Sequence, residues 1–153
     1  MALILRFSGS RSLESLAVKA YTWSWASHCE TVLLRNGNHV LYGALPSTGV
    51  NYRPYDSTAG EHVEEYKIQM TTDVTDQVTQ NLLSQQGKPY DYTAILAFAM
   101  HRNWGDDHAK WFCSELIVWA FAKANFSILR TEHLNRVSPR DLLLSPYLVK
   151  VNQ

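Results

Sequence analysis

Ser27-His28-Cys29-Glu30-Thr31-Val32-Leu33-Leu34-Arg35-Asn36-Gly37-Asn38-His39-Val40-Leu41-Tyr42-Gly43-Ala44-Leu45 is the stretch that decides the fold. Two β-rich runs, Ser27 to Arg35 and His39 to Leu45, flank Asn36-Gly37, the dipeptide that best tolerates the positive φ angles of a tight hairpin turn. The stretch therefore predicts antiparallel β structure. Because side chains alternate between the two faces of a strand, His28 and Glu30 share one face and Cys29 takes the other. A two-residue turn sets Glu30 opposite Gly43, leaving room above the sheet, and turns Tyr42 away. A three-residue loop shifts the register by one and brings Tyr42 to the face of His28.

Upstream, Ala2 to Phe7 reads as a strand ending at Ser8-Gly9-Ser10, and Leu13, Leu16, Ala17 and Ala20 recur at helical spacing between Ser12 and Tyr21. Downstream, Leu45 to Gly60 is rich in Pro, Ser, Thr, Gly and Asn and reads as a loop, and Val63 to Met70 regains alternation through Tyr66, Ile68 and Met70. Thr72-Asp73 caps a helix carrying Val74, Val78 and Leu82, which Gly87 and Pro89 end. Thr93 to His101 reads as a short helix, Ala109 to Ala124 as a longer one, and Ser138-Pro139 caps a last one that stops before Pro146. The pattern predicts a single α+β domain over residues 1–153, with a small antiparallel sheet packed against the helix that bears Cys113.

Composition narrows the function. Lys plus Arg and Asp plus Glu both number 14, so no basic field exists to hold a phosphate backbone, and nucleic acid is excluded as an expected partner. The apolar runs Ala94 to Met100 and Leu116 to Ala122 are too short to span a bilayer, and Met1 to Leu5 lacks the basic flank of a secretion signal. A cytoplasmic start is expected. Cys29 and Cys113 are the only cysteines, too few for a disulfide framework, and both read as free thiols.

Cys113 carries the chemistry. In Trp111-Phe112-Cys113-Ser114-Glu115-Leu116 a thiol stands where an irregular approach becomes an apolar helix, and unpaired amides at a helix N-terminus favour thiolate over thiol. A nucleophilic cysteine also needs a base, a group that orients the base, and donors for the oxyanion. His28 is the preferred base because a strand holds its ring firmly. His108 is too near Cys113 in sequence to be favoured, and His39, His62, His101 and His133 read as surface residues. Glu30 is the first choice to orient His28, with Tyr42 second. Tyr90, after Gly87-Lys88-Pro89, is the candidate oxyanion donor beside the Cys113 amide. Ser114 is assigned no chemical step. A zinc site of His28, Cys29 and Cys113 is disfavoured, since adjacent strand residues point apart and a closed zinc site wants four converging ligands. No cofactor or metal is expected.

Phe7-Ser8-Gly9, Ser27-His28-Cys29-Glu30, Gly49-Val50, Gly87-Lys88-Pro89-Tyr90-Asp91, Trp111 to Leu116 and Ser138-Pro139-Arg140-Asp141-Leu142 together resemble the circularly permuted branch of the NlpC-type papain-like cysteine hydrolases. Their order is the specific signal, because the histidine segment precedes the cysteine helix. The resemblance implies a permuted papain-like α+β fold, Cys113 as nucleophile, His28 as base and Tyr90 as oxyanion donor. It also implies an amide-bond substrate, in particular peptidoglycan stem peptides, as in bacterial and phage members. The third catalytic position of that family usually lies on the strand after the histidine strand, where this chain offers Tyr42 or His39. Two other readings stay open: a lipid acyl hydrolase or acyltransferase resembling lecithin:retinol acyltransferase, and a structural protein that has lost turnover.

Overall fold

The hairpin forms with the two-residue turn. In the computed structural model, which describes residues 1–93, 109–130 and 137–151, Asn36 and Gly37 take φ of 52° and 79°. Strands β2 (His28–Arg35) and β3 (Asn38–Leu45) pair with Thr31 opposite Tyr42. That register places Glu30 across from Gly43, where an added Cβ would stand 3.0 Å from the Glu30 Cγ. The absent side chain at Gly43 is what admits a long carboxylate on the neighbouring strand.

Around this hairpin β1 (Ala2–Gly9), β4 (Gly49–Pro54), β5 (His62–Gln69) and β6 (Val149–Lys150) complete a six-stranded antiparallel sheet in the order β4-β3-β2-β1-β5-β6. Strand β4 and a 3-10 turn at Tyr55–Thr58 replace the loop expected over Leu45 to Gly60. The polar, Gly- and Pro-rich composition hid a strand whose pairing is set from outside. Gly49 sits at φ 69°, where a Cβ would meet the Lys88 carbonyl at 2.3 Å, and Val50 N–H donates to that same carbonyl at 2.8 Å. Strand β6 also carries too few residues to show a period.

Helices α2 (Thr72–Leu83) and α3 (Cys113–Lys123) contact each other, and α3 also packs on β2 and β3. Thr71, one residue ahead of the expected Thr72-Asp73, caps α2 by accepting from Val74 N–H. Leu3, Leu5, Phe7, Ile68, Val78, Leu82, Leu116, Ile117 and Phe121 are buried in one cluster, each contributing roughly 1.5–3 kcal/mol by leaving water. The last helix, α4 (Pro139–Leu143), is capped by Ser138 with Asp141 reaching back to the Ser138 N–H at 2.8 Å. The helix expected over Thr93 to His101 lies outside the described residues.

Helix α1 (Leu13–Thr22) forms where its periodicity predicts and turns the other way round. Leu13, Leu16 and the following Trp23 are 84%, 49% and 90% exposed, while Ser15, Val18 and Thr22 are buried. The buried hydroxyls are satisfied locally, Ser15 Oγ donating to the Ser10 carbonyl and Thr22 Oγ1 to the Val18 carbonyl, both at 2.8 Å, so the polar face loses little on burial.

Candidate active site

His28 and Glu30 emerge from β2 on one face, as their spacing dictates. Glu30, 1% exposed, is clamped by Arg53 of β4: Nε donates to Oε1 at 2.8 Å and Nη2 donates to Oε2. The two-point fork fixes the carboxylate plane, which a single ammonium would not do. His28 Nε2 lies 3.5 Å from Glu30 Oε2, an ion-pair distance without hydrogen-bond alignment, so Nε2 remains an orphaned buried nitrogen among the described residues. The His28 ring also engages Cys113. One imidazole thus stands between a carboxylate and a sulfur.

Cys113 is the first residue of α3. Phe112 is its N-cap residue, and the Glu115 carboxylate accepts from the Phe112 N–H at 3.4 Å. Cys29, next to His28 at the start of β2, interacts with the Cys113 thiol as well. Adjacent strand residues are expected to point apart, which disfavours a zinc site of His28, Cys29 and Cys113. At the start of β2 both interact with the Cys113 thiol. Even so, no three His, Cys, Asp or Glu side chains converge at metal-binding spacing among the described residues.

The electrostatics describe an ion pair. Burial alone disfavours charge on His28, but the charges of Glu30 and Cys113 outweigh it and raise the pKa to about 10. Burial alone would raise Glu30, whereas His28 and Arg53 bring it down to about 2. Burial likewise opposes a Cys113 thiolate, and hydrogen bonds from Cys29 with the charge and hydrogen bond of His28 reverse that, holding the thiol well below its ordinary value. Cys29 moves up, through burial and the neighbouring Cys113. The two thiols are therefore opposite in character.

Tyr90 sits where Gly87-Lys88-Pro89 delivers it, in a bridge with Trp111, Asp91 N–H donating to the Trp111 carbonyl at 3.0 Å. It is buried, its ring 5.8 Å from that of Phe112. Burial and the nearby Cys113 push its phenol far above the ordinary value, so it stays a neutral donor. Tyr42 does not join the site. It faces the helices and donates from Oη to the Leu82 carbonyl at 3.0 Å, because the two-residue turn, not the three-residue one, sets the register. His39 pairs with Leu34 at the turn end of the hairpin and His62 meets Trp25 edge-to-face, with ring centroids 4.3 Å apart. His101, His108 and His133 lie outside the described residues. Ser114 donates to the Val137 carbonyl.

A cleft open to solvent meets this constellation at His28 and Tyr90. Ser8, Ser10, Ser15, Ser27 and Arg53 are among its walls. Cys113 itself has no exposed surface. Sequence reasoning does not single out Arg53, because the Pro-, Ser-, Thr-, Gly- and Asn-rich segment that carries it reads as a loop. The signal was present in Val50-Asn51-Tyr52-Arg53, where the pairing of Asn51 with Gly43 puts Asn51 and Arg53 on the Glu30 face.

The sheet, its helices and this Cys-His-Glu-Arg cluster make an α+β protein with a thiol, an imidazole and a carboxylate near one another. The chain is similar in structure to the metalloprotein yiiX from Escherichia coli O157:H7, at a TM-score of 0.73 over 98% of this chain and 95% of that one, with 18% sequence identity. No family model matches the sequence, and no curated protein matches it. Among the described residues no helix is long and apolar enough to cross a membrane.

Proposed function

We propose that this chain is a cysteine hydrolase of the permuted papain-like kind, acting on an amide bond, with peptidoglycan stem peptides as the favoured substrate. One observation carries the reading: a single imidazole, 3.5 Å from a carboxylate locked in place by Arg53, also interacts electrostatically with the Cys113 thiol. In the resting site the Cys113 proton resides on His28. The thiolate attacks the substrate carbonyl, forming a C–S bond as the carbonyl electrons move onto oxygen, with the Cys113 amide and the Tyr90 hydroxyl as donors to that oxygen. Collapse of the adduct breaks the C–N bond while His28 gives its proton to the departing amine. His28 then takes a proton from water, which attacks the thioester, and the C–S bond breaks to release the acid. Glu30 stabilises the imidazolium whenever it forms and faces the ring throughout.

The covered sulfur makes an opening step part of this cycle, since a carbonyl must reach an atom with no exposed surface. The cleft places the hydroxyls of Ser8, Ser10, Ser15 and Ser27 beside apolar Val18, Leu45 and Pro46, a mixed lining suited to a peptide with its polar backbone. Metal chemistry of the kind that the name of the structural neighbour suggests finds no fitting set of side chains among the described residues, and no step is routed through it. The test incubates the protein with purified cell walls and with N-acyl peptide amides, against a Cys113→Ala control, and seeks a thioester by intact mass. A thiol alkylator should label Cys113 ahead of Cys29. Equal slow labelling of both thiols, with no Cys113-dependent product, would overturn the reading.

A further inference from the structure

Arg53 uses only part of its guanidinium on Glu30. Nε and Nη2 make the fork, and Nη1 has no partner among the described residues. The side chain keeps 22% of its surface exposed and lines the cleft shared by His28 and Tyr90. A guanidinium placed this way offers unused donors beside a reacting site. We infer that Arg53 binds a carboxylate of the substrate, so that the hydrolase acts on peptides bearing an anionic group on the β4 side of His28.

The inference rests on the hydrolase reading of the same site and adds the substrate class. Position follows from the cluster. Sulfur, imidazole, carboxylate and guanidinium succeed one another, with the last two contacts at 3.5 Å and 2.8 Å. The guanidinium is then on the order of 10 Å from the sulfur, or two to three extended residues. Polarity follows from the other walls. Glu14 on α1 and Glu61 line the same cleft, Glu61 standing just before β5, across β1 from β2 and away from β4. A carboxylate placed there meets like charge, whereas one placed toward β4 meets Arg53. The cleft therefore reads its ligand in one direction only.

The test uses Cys113→Ala protein, which holds ligand without turning it over, titrated by NMR with N-acetyl-trialanine and with its C-terminal carboxamide. The acid should bind at least about tenfold more tightly than the amide, as a charge-assisted contact requires. That preference should vanish in Cys113→Ala/Arg53→Gln and survive in part with Arg53→Lys. Equal affinity of acid and amide, absence of acid binding at millimolar concentration, or a preference unchanged by Arg53→Gln would each overturn the inference. The acid-to-amide ratio in Cys113→Ala alone decides the matter if the Arg53 variants do not fold. Turnover is read separately on the unaltered protein. Hydrolysis of both peptides without preference sinks the Arg53 inference alone, while an intact preference with no hydrolysis sinks the hydrolase reading alone.

Discussion

Replacing Glu30 by Gln removes one negative charge from 3.5 Å beyond the His28 ring while keeping shape and one acceptor. At an effective dielectric of about 20, a unit charge at that distance is worth roughly 5 kcal/mol, or between three and four pH units of imidazole basicity. Subtracting this from the raised value of about 10 returns His28 to the ordinary imidazole range. Arg53 loses its counter-charge in the same step and pushes in the same direction. At pH 7.5 the imidazolium that holds the Cys113 thiolate is then largely lost, and the sulfur reverts toward thiol. The assay is the pH profile of Cys113 alkylation by iodoacetamide, resolved from Cys29 by peptide mass spectrometry. Glu30→Gln should move the midpoint upward and slow labelling at pH 7 by at least about tenfold. Superimposable profiles for the two proteins would refute the argument that Glu30 sets the charge state of the pair.

Gly43→Ala should destabilise the fold by roughly 1–3 kcal/mol in urea denaturation and reduce Cys113 reactivity, because its methyl meets the Glu30 Cγ at 3.0 Å inside a rigid sheet. Tyr42→Phe should cost about 1 kcal/mol through loss of the Leu82 contact and leave the alkylation profile unchanged, since that hydroxyl lies on the other face. Acid should weaken the protein in a defined window. The Glu30 pKa is depressed, from 4.5 to about 2, so its contribution, roughly 3 kcal/mol, is complete above the unfolded value and is lost as pH falls from about 5 to about 2. Thermal melts of the unaltered protein and of Glu30→Gln across that window should converge at the acid end. His28 has the opposite sign, its raised pKa stabilising the fold below pH 6.5 and losing that contribution as pH rises toward about 10.

Local signals in the chain settled a good deal. The Asn36-Gly37 turn fixes a register, the register fixes which residues face each other, and with alternation that places His28 and Glu30 together above Gly43. Helix α3 begins at Cys113, where irregular sequence becomes apolar-periodic, and not at Ala109, where the expected span Ala109 to Ala124 starts. These outcomes follow from interactions among near neighbours, which is why they are legible one residue at a time. The buried side of α1 was not legible, because periodicity marks a helix without saying which of its faces is covered, and satisfied hydroxyls can take the inner position. Strand β4 was missed for a related reason: its pairing depends on Gly49 and Lys88 meeting across a long stretch of chain.

What the sequence determined by itself is a set of chemically capable residues and the strand and helix that carry them. Only the tertiary structure decided that Arg53 closes on Glu30, that Tyr42 turns away, and that Cys29 joins His28 at the Cys113 sulfur. It also decided that the sulfur is covered while the cleft opens at His28 and Tyr90. The physical reason is that charge state and access depend on desolvation and on partners brought together from distant parts of the chain, and neither quantity exists until the sheet and helices have packed.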